Sequence, residues 1–118
     1  MKIQEFINCL FEIRINGHIA HLQSKSFAQH KALDELYTGI ADLTDSYVET
    51  YQGIYGIITD YDEKITLKNN QDMAKYLMEE RKKFRDYRKE VLQTELQQKV
   101  DDIIEFLDTI IYKLKFLS

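Results

Sequence analysis

The chain contains no proline, four glycines and a single cysteine. Glycine supplies the backbone conformations that tight turns demand, and proline breaks helices and fixes turns. A strand-and-turn architecture with many loops is therefore excluded, and the expected class is all-α. One cysteine excludes an internal disulfide and fits a reducing, cytoplasmic setting. Apolar runs of about 18 residues are absent, so no membrane-spanning helix is expected. The opening MKIQEFINCLFEIRING sets Glu5 and Glu12 inside its apolar pattern and does not read as a secretory leader. The net charge of −4 gives no general case for a nucleic-acid or membrane surface.

What is present is helical periodicity. The 118 residues suffice for one domain, 1–118, with a real core. From residue 3 to about 24, Ile3, Phe6, Ile7, Leu10, Phe11, Ile13, Ile15 and Leu22 give a first helix with a broad apolar face. Ser26 followed by Gln29 has the form of a capping box opening a second helix, which fades near Gly53 and Gly56. Residues 57 to 69 have no helical period and form the longest connection. A crossover of that length suits a bundle whose second and third helices run parallel or lie apart. Asn69 or Asn70 can cap a third helix, 71 to about 92, in which Met73, Leu77, Phe84 and Val91 approach a heptad seam. Thr94 with Gln97 repeats the capping-box form, so a break before a fourth helix is expected rather than one continuous helix. Val100, Ile103, Ile104, Leu107, Ile111, Leu114 and Leu117 give that helix its apolar stripe.

The second helix carries the candidate chemistry. His30, Asp34, Asp45 and Glu49 fall at roughly 0°, 40°, 60° and 100° around it, one narrow face. Asp34 and Asp45 are nonetheless about 16 Å apart along the axis, so one copy cannot close all four around one ion. The pairs His30/Glu49 and Asp34/Asp45 share a midpoint between Gly39 and Ile40. Two such helices crossing antiparallel there would set His30 and Asp34 of one copy against Asp45 and Glu49 of the other. Gly39 would permit the close approach, and Gly39/Ile40 are expected to mark the two-fold axis. His18, twelve residues before His30, lies near the end of the first helix and completes the candidate ligand set.

The set His18, His30, Asp34, Asp45 and Glu49, with spacings of twelve, four, eleven and four, resembles the ligand set of the Dps-like mini-ferritins, DNA-binding proteins from starved cells. Phe27 and LDELY, 33 to 37, are similar to that family as well. The resemblance covers about residues 10 to 52 and, loosely, the final helix. It implies a ferritin-like four-helix bundle with a long crossover between helices two and three. It also implies oxidation of Fe²⁺ by peroxide or oxygen at a site shared between subunits, and storage of ferric iron in a homo-oligomeric, dodecameric shell. His18, His30 and Asp34 would come from one subunit, Asp45 and Glu49 from the other. Imidazole and carboxylate suit iron, and also zinc or manganese. Asp42 is a candidate nucleation acid. Two departures stand out: Ile19 replaces the tryptophan usual after the first histidine, and no basic N-terminal extension is present to hold DNA.

The plainer readings are these. His21 is expected to face solvent, although it could support the site or substitute as a ligand. Tyr37, Tyr47 and Tyr51 are expected in the core, and Cys9 as a small buried apolar residue. The basic run 81 to 89 is expected to be a solvated face with Phe84 turned inward, DNA contact being its minor alternative. The alternative to an iron-oxidising enzyme is a non-enzymatic dimeric bundle whose polar face holds a structural metal or hydrogen bonds.

Overall fold

A computed structural model describes residues 1–117 of the chain. The helices are α1 (Ile3–Gln23), α2 (Phe27–Tyr55), α3 (Met73–Arg88) and α4 (Thr94–Phe116). They form a four-helix bundle in which α1 packs on α2 and α3, and α4 packs on α2 and α3. The pairs α1/α4 and α2/α3 are the diagonals.

The 17-residue crossover from 56 to 72 lies along α1 and runs in its direction. Gln4 near the start of α1 meets Asp60, Asn16 meets Thr66 and Lys68, and Gln23 at its end meets Asn69 and Asn70. The chain therefore returns to the end of the bundle where α2 began, and α3 runs parallel to α2. This is an up-down-down-up order with one long crossover, the parallel one of the two arrangements that the length of the connection allowed. Helix α2, at about 1.5 Å per residue, is as long as the 43 Å principal axis of the molecule.

The core forms one apolar cluster drawn from all four helices. Phe6 sits at its centre, stacked on Tyr87 at 4.2 Å and edge-on to Tyr47 and Phe84 at 4.9 and 5.1 Å. Met73, Leu77, Phe84 and Val91 are all buried, as their near-heptad spacing requires, and so are Val100, Ile103, Ile104, Leu107, Ile111 and Leu114. Leu117 is not; it lies past the end of α4 and is half exposed. On α1, Phe11, Ile15 and Leu22 also remain exposed, because their spacing of four and seven builds a second stripe turned away from the core.

The caps differ in detail from the sequence pattern. Ser26 accepts from the Gln29 amide at 3.3 Å as expected, but the Gln29 side chain donates to the Leu114 carbonyl of α4 instead of closing the box. Asp72, not Asn69 or Asn70, caps α3 through the Lys75 amide, while Asn70 takes a left-handed conformation at φ 51°. Helix α4 has Gln93 at its N-cap with no side-chain capping bond, its side-chain amide donating instead to the Tyr55 hydroxyl, and Gln97 reaches back to the Val91 carbonyl at 2.8 Å. The break between α3 and α4 is real; buried Val91, its carbonyl held by Gln97, anchors it. Helix α2 ends at Gly56, whose φ of 94° suits a residue without a β-carbon.

Among the described residues, no helix is long and apolar enough to cross a membrane.

Candidate metal-binding face

The turn Ser24–Ser26 folds α2 back on α1 and brings three histidines and a tyrosine together. His21 and His30 stand almost symmetrically about this turn. Their rings stack at 3.7 Å between centroids. Nδ1 of His21 lies 2.8 Å from the His30 carbonyl, and Nδ1 of His30 lies 3.0 Å from the His21 carbonyl. His18 stacks on Tyr37 at 4.2 Å. The Tyr37 ring also meets His21 edge-on at 5.4 Å. Burial raises the Tyr37 hydroxyl above its ordinary pKa, and its hydrogen bond to the Asp34 carboxylate raises it further.

The remaining candidates lie farther along α2. Asp45 and Glu49 are exposed, on the same outward face as Asp34. Among the described residues, no three histidine, cysteine, aspartate or glutamate side chains converge on a point that could hold an ion. The structure thus brings His18, His30 and Asp34 into one neighbourhood, around Tyr37, and leaves Asp45 and Glu49 about three and four helical turns beyond Asp34.

The structure departs from expectation at Gly39, His21 and Tyr37. Gly39 and Ile40 turn into the bundle of their own chain. A β-carbon on Gly39 would stand 2.5 Å from Cζ of Phe106, so the close approach that glycine permits is made to α4 of the same chain, and Ile40 is wholly buried. The shared midpoint along the axis concealed a rotation: Gly39 is about 130° around the helix from the centre of the ligand stripe. Thr38 and Ala41 occupy that centre. His21, expected to face solvent, is half-buried and bonded to His30. Tyr37 is half-buried on the histidine cluster and not in the core, whereas Tyr47 is in the core and Tyr51 half-buried beside it.

Six of the chain's carboxylates are ion-paired, Asp86 with Lys89 and Glu90 with the N-terminus among them. Glu35, Glu80, Asp101 and Asp108 are paired with Lys113, Lys83, Arg88 and Arg81. Asp34, Asp45 and Glu49 have no cationic partner among the described residues, and His18 has no hydrogen bond. The same pairing bears on the basic run 81 to 89. Four of its six cations, Arg81, Lys83, Arg88 and Lys89, face carboxylates, leaving Lys82 and Arg85. Phe84 is turned inward, as expected.

A family model matches residues 21–114, from the turn beside His21 to the end of α4. The chain belongs to DUF5856, a family of unknown function. The DUF5856 stretch contains His21, His30, Asp34, Asp45 and Glu49, with His18 just before it. Over 55 residues this DUF5856 chain is 36% identical to an uncharacterized 14.6 kDa protein of Enterobacteria phage T4, from the mobD-ri intergenic region. That similarity covers 47% of this chain and 43% of the phage protein, so the match spans less than half of either. No solved structure matches.

Proposed function

We propose that the protein binds iron between two copies of itself, in the manner of a mini-ferritin, and oxidises Fe²⁺ there. In this reading His18, His30 and Asp34 of one copy face Asp45 and Glu49 of the other. One observation carries it: His30, Asp34, Asp45 and Glu49 fall on one face of α2 with His18 beside it on α1, and their carboxylates have no cationic partner among the described residues. Asp45 and Glu49, one turn apart and unpaired, repel one another, and a divalent cation relieves that cost.

The donor chemistry fits. Neutral imidazole with carboxylate accepts Fe²⁺, Zn²⁺ or Mn²⁺. The Nδ1 of His30 is held by a backbone carbonyl, the arrangement that leaves Nε2 for a metal. A single chain gathers too few donors, so the site is complete only in the dimer. Each Fe²⁺ would pass one electron to peroxide or oxygen, and the ferric product would remain with the protein, in a closed shell if the assembly continues beyond the dimer. A reducing, cytoplasmic setting is consistent with the free thiol of Cys9.

The stacks of His18 on Tyr37 and of His21 on His30 favour a second reading, in which the same face is a polar dimer contact with a structural metal or none. One experiment separates the two. Purified protein is mixed with Fe²⁺ and peroxide, ferric absorbance is followed, and the native mass is measured. Catalytic turnover that disappears in His30→Ala/Asp34→Ala supports the first reading. A stable dimer that binds iron stoichiometrically without turnover, or not at all, removes the enzyme claim.

A further inference from the structure

The last four carbonyls of a helix have no partner within it. In α1 that includes the carbonyl of His21, which the Ser24 amide approaches only at 3.4 Å. The His30 ring takes the better position, with Nδ1 at 3.0 Å. A carbonyl only accepts, so Nδ1 of His30 carries the proton. The same reasoning puts the proton of His21 on Nδ1, 2.8 Å from the His30 carbonyl. In a neutral imidazole the other nitrogen then bears the lone pair. Two reciprocal bonds and a ring stack at 3.7 Å with 24° between planes fix the rotamer of each ring.

From this geometry we infer that His21 is a positioning residue for the metal site: its carbonyl fixes the tautomer of His30, and its ring fixes the orientation, so that the Nε2 lone pair of His30 is kept for the metal. The inference rests on the site proposed above. It assigns to His21 no bond to the metal. A donor whose tautomer and rotamer are set before the ion arrives gives up less freedom on binding, which is the origin of the affinity that such supporting contacts provide.

The probe is Co²⁺ alone, whose visible absorption reports its ligands. It is titrated into the full chain and into His30→Ala, His21→Phe and His21→Asn. Phenylalanine keeps the stack and removes the donor; asparagine keeps an N–H near the position of Nδ1 and has no nitrogen equivalent to Nε2. The wild type is expected to bind Co²⁺ and His30→Ala to lose it. His21→Phe is expected to weaken binding by about 10–100-fold, and His21→Asn to recover most of that loss. Wild-type affinity in His21→Phe, with binding lost in His30→Ala, would overturn the positioning role and leave the site standing. Failure of His21→Asn to recover, with an altered Co²⁺ spectrum, would make His21 a ligand and overturn the inference as stated. Binding unchanged in His30→Ala would sink the site itself. A metal-free measurement stands beside these: imidazole ¹⁵N shifts should show His30 locked as the Nδ1–H tautomer in wild type and in His21→Phe alike, because the carbonyl of residue 21 is kept in both. Averaging between tautomers in the wild type would overturn the inference. If the pair were only a hairpin staple, the variants would lower the melting temperature without moving Co²⁺ affinity.

Discussion

The ring of Phe106 in α4 fills the space that a β-carbon on Gly39 of α2 would occupy. Glycine costs a helix interior about 1 kcal/mol relative to alanine. Here that cost is offset by bringing two helices together. Gly39→Ala forces the ring aside, and overpacking of this kind costs roughly 1–3 kcal/mol. We expect a net loss of about 1 kcal/mol, because the half-buried ring can shift. In a Phe106→Ala background the same substitution should instead stabilise, by up to about 1 kcal/mol. Urea melts of the four proteins test the sign reversal.

Asn16 ties the crossover to α1. Its side-chain amide donates to the Thr66 carbonyl and its oxygen accepts from the Lys68 amide, both at 2.9 Å, and the residue is 1% exposed. Asn16→Ala removes both bonds and should cost about 2 kcal/mol. The loss should be local first. Proteolysis within 57 to 69 should accelerate more than the melting temperature falls, and equal changes in both would show the tie to be global.

Cys9 gives the protein an alkaline limit. Burial pushes its thiol from an ordinary value near 9 up to about 11, with Glu80 adding to the shift. Below pH 9 both folded and unfolded chains hold the proton. Between about 9 and 11 the unfolded chain releases it first, so stability falls as pH rises through that window. Cys9→Ala should flatten the curve there. Tyr47, Tyr76 and Tyr87, also raised by burial, add a loss of the same sign from about pH 10 in both proteins, so the difference between the curves isolates the thiol. Parallel curves from pH 8 to 11 would contradict it.

The run 81 to 89 should not hold DNA. With most of its cations facing carboxylates, too few remain to release counterions from a duplex. No gel shift is expected at low salt with the wild type. Asp101→Asn/Asp108→Asn, which frees Arg88 and Arg81, is the variant in which a salt-sensitive shift should first emerge. A wild-type shift would show that the paired cations exchange partners freely.

Much of the fold was legible because period and capping residues are local properties. Four helices and the break before Thr94 follow from apolar spacing and capping residues, and the length of the crossover allowed the parallel run of α2 and α3. What was not legible depends on neighbours. Three small polar residues compete at the start of α3, and Asp72 wins by geometry. Phe11, Ile15 and Leu22 fit a helical period as well as Phe6 and Leu10 do, and only packing decides which stripe turns inward. In the candidate site, the spacing of His30, Asp34, Asp45 and Glu49 put them on one face of α2, while the structure gathers His18, His30 and Asp34 near Tyr37 and leaves Asp45 and Glu49 farther along the helix. That spacing misassigned Gly39, because a midpoint along a helix says nothing of rotation about it. His21 was legible only in part: residues 21 and 30 lie at nearly equal distances from a tight turn, which sets them at one level of the hairpin, but rotation about each helix decides whether they face each other.

The connectivity also sets an order of assembly. Three residues join α1 to α2 and five join α3 to α4, so each hairpin can close with little loss of chain entropy. Only the 56–72 segment must reach the length of the molecule before its contacts form. Hairpins of this kind form from contacts close in sequence, and topologies rich in them fold fast. The rate-limiting event should then be the docking of two preformed hairpins. Substitutions in the α2–α4 seam, Gly39 and Phe106 among them, should slow folding, whereas Asn16 should mainly govern how fast the finished molecule comes apart.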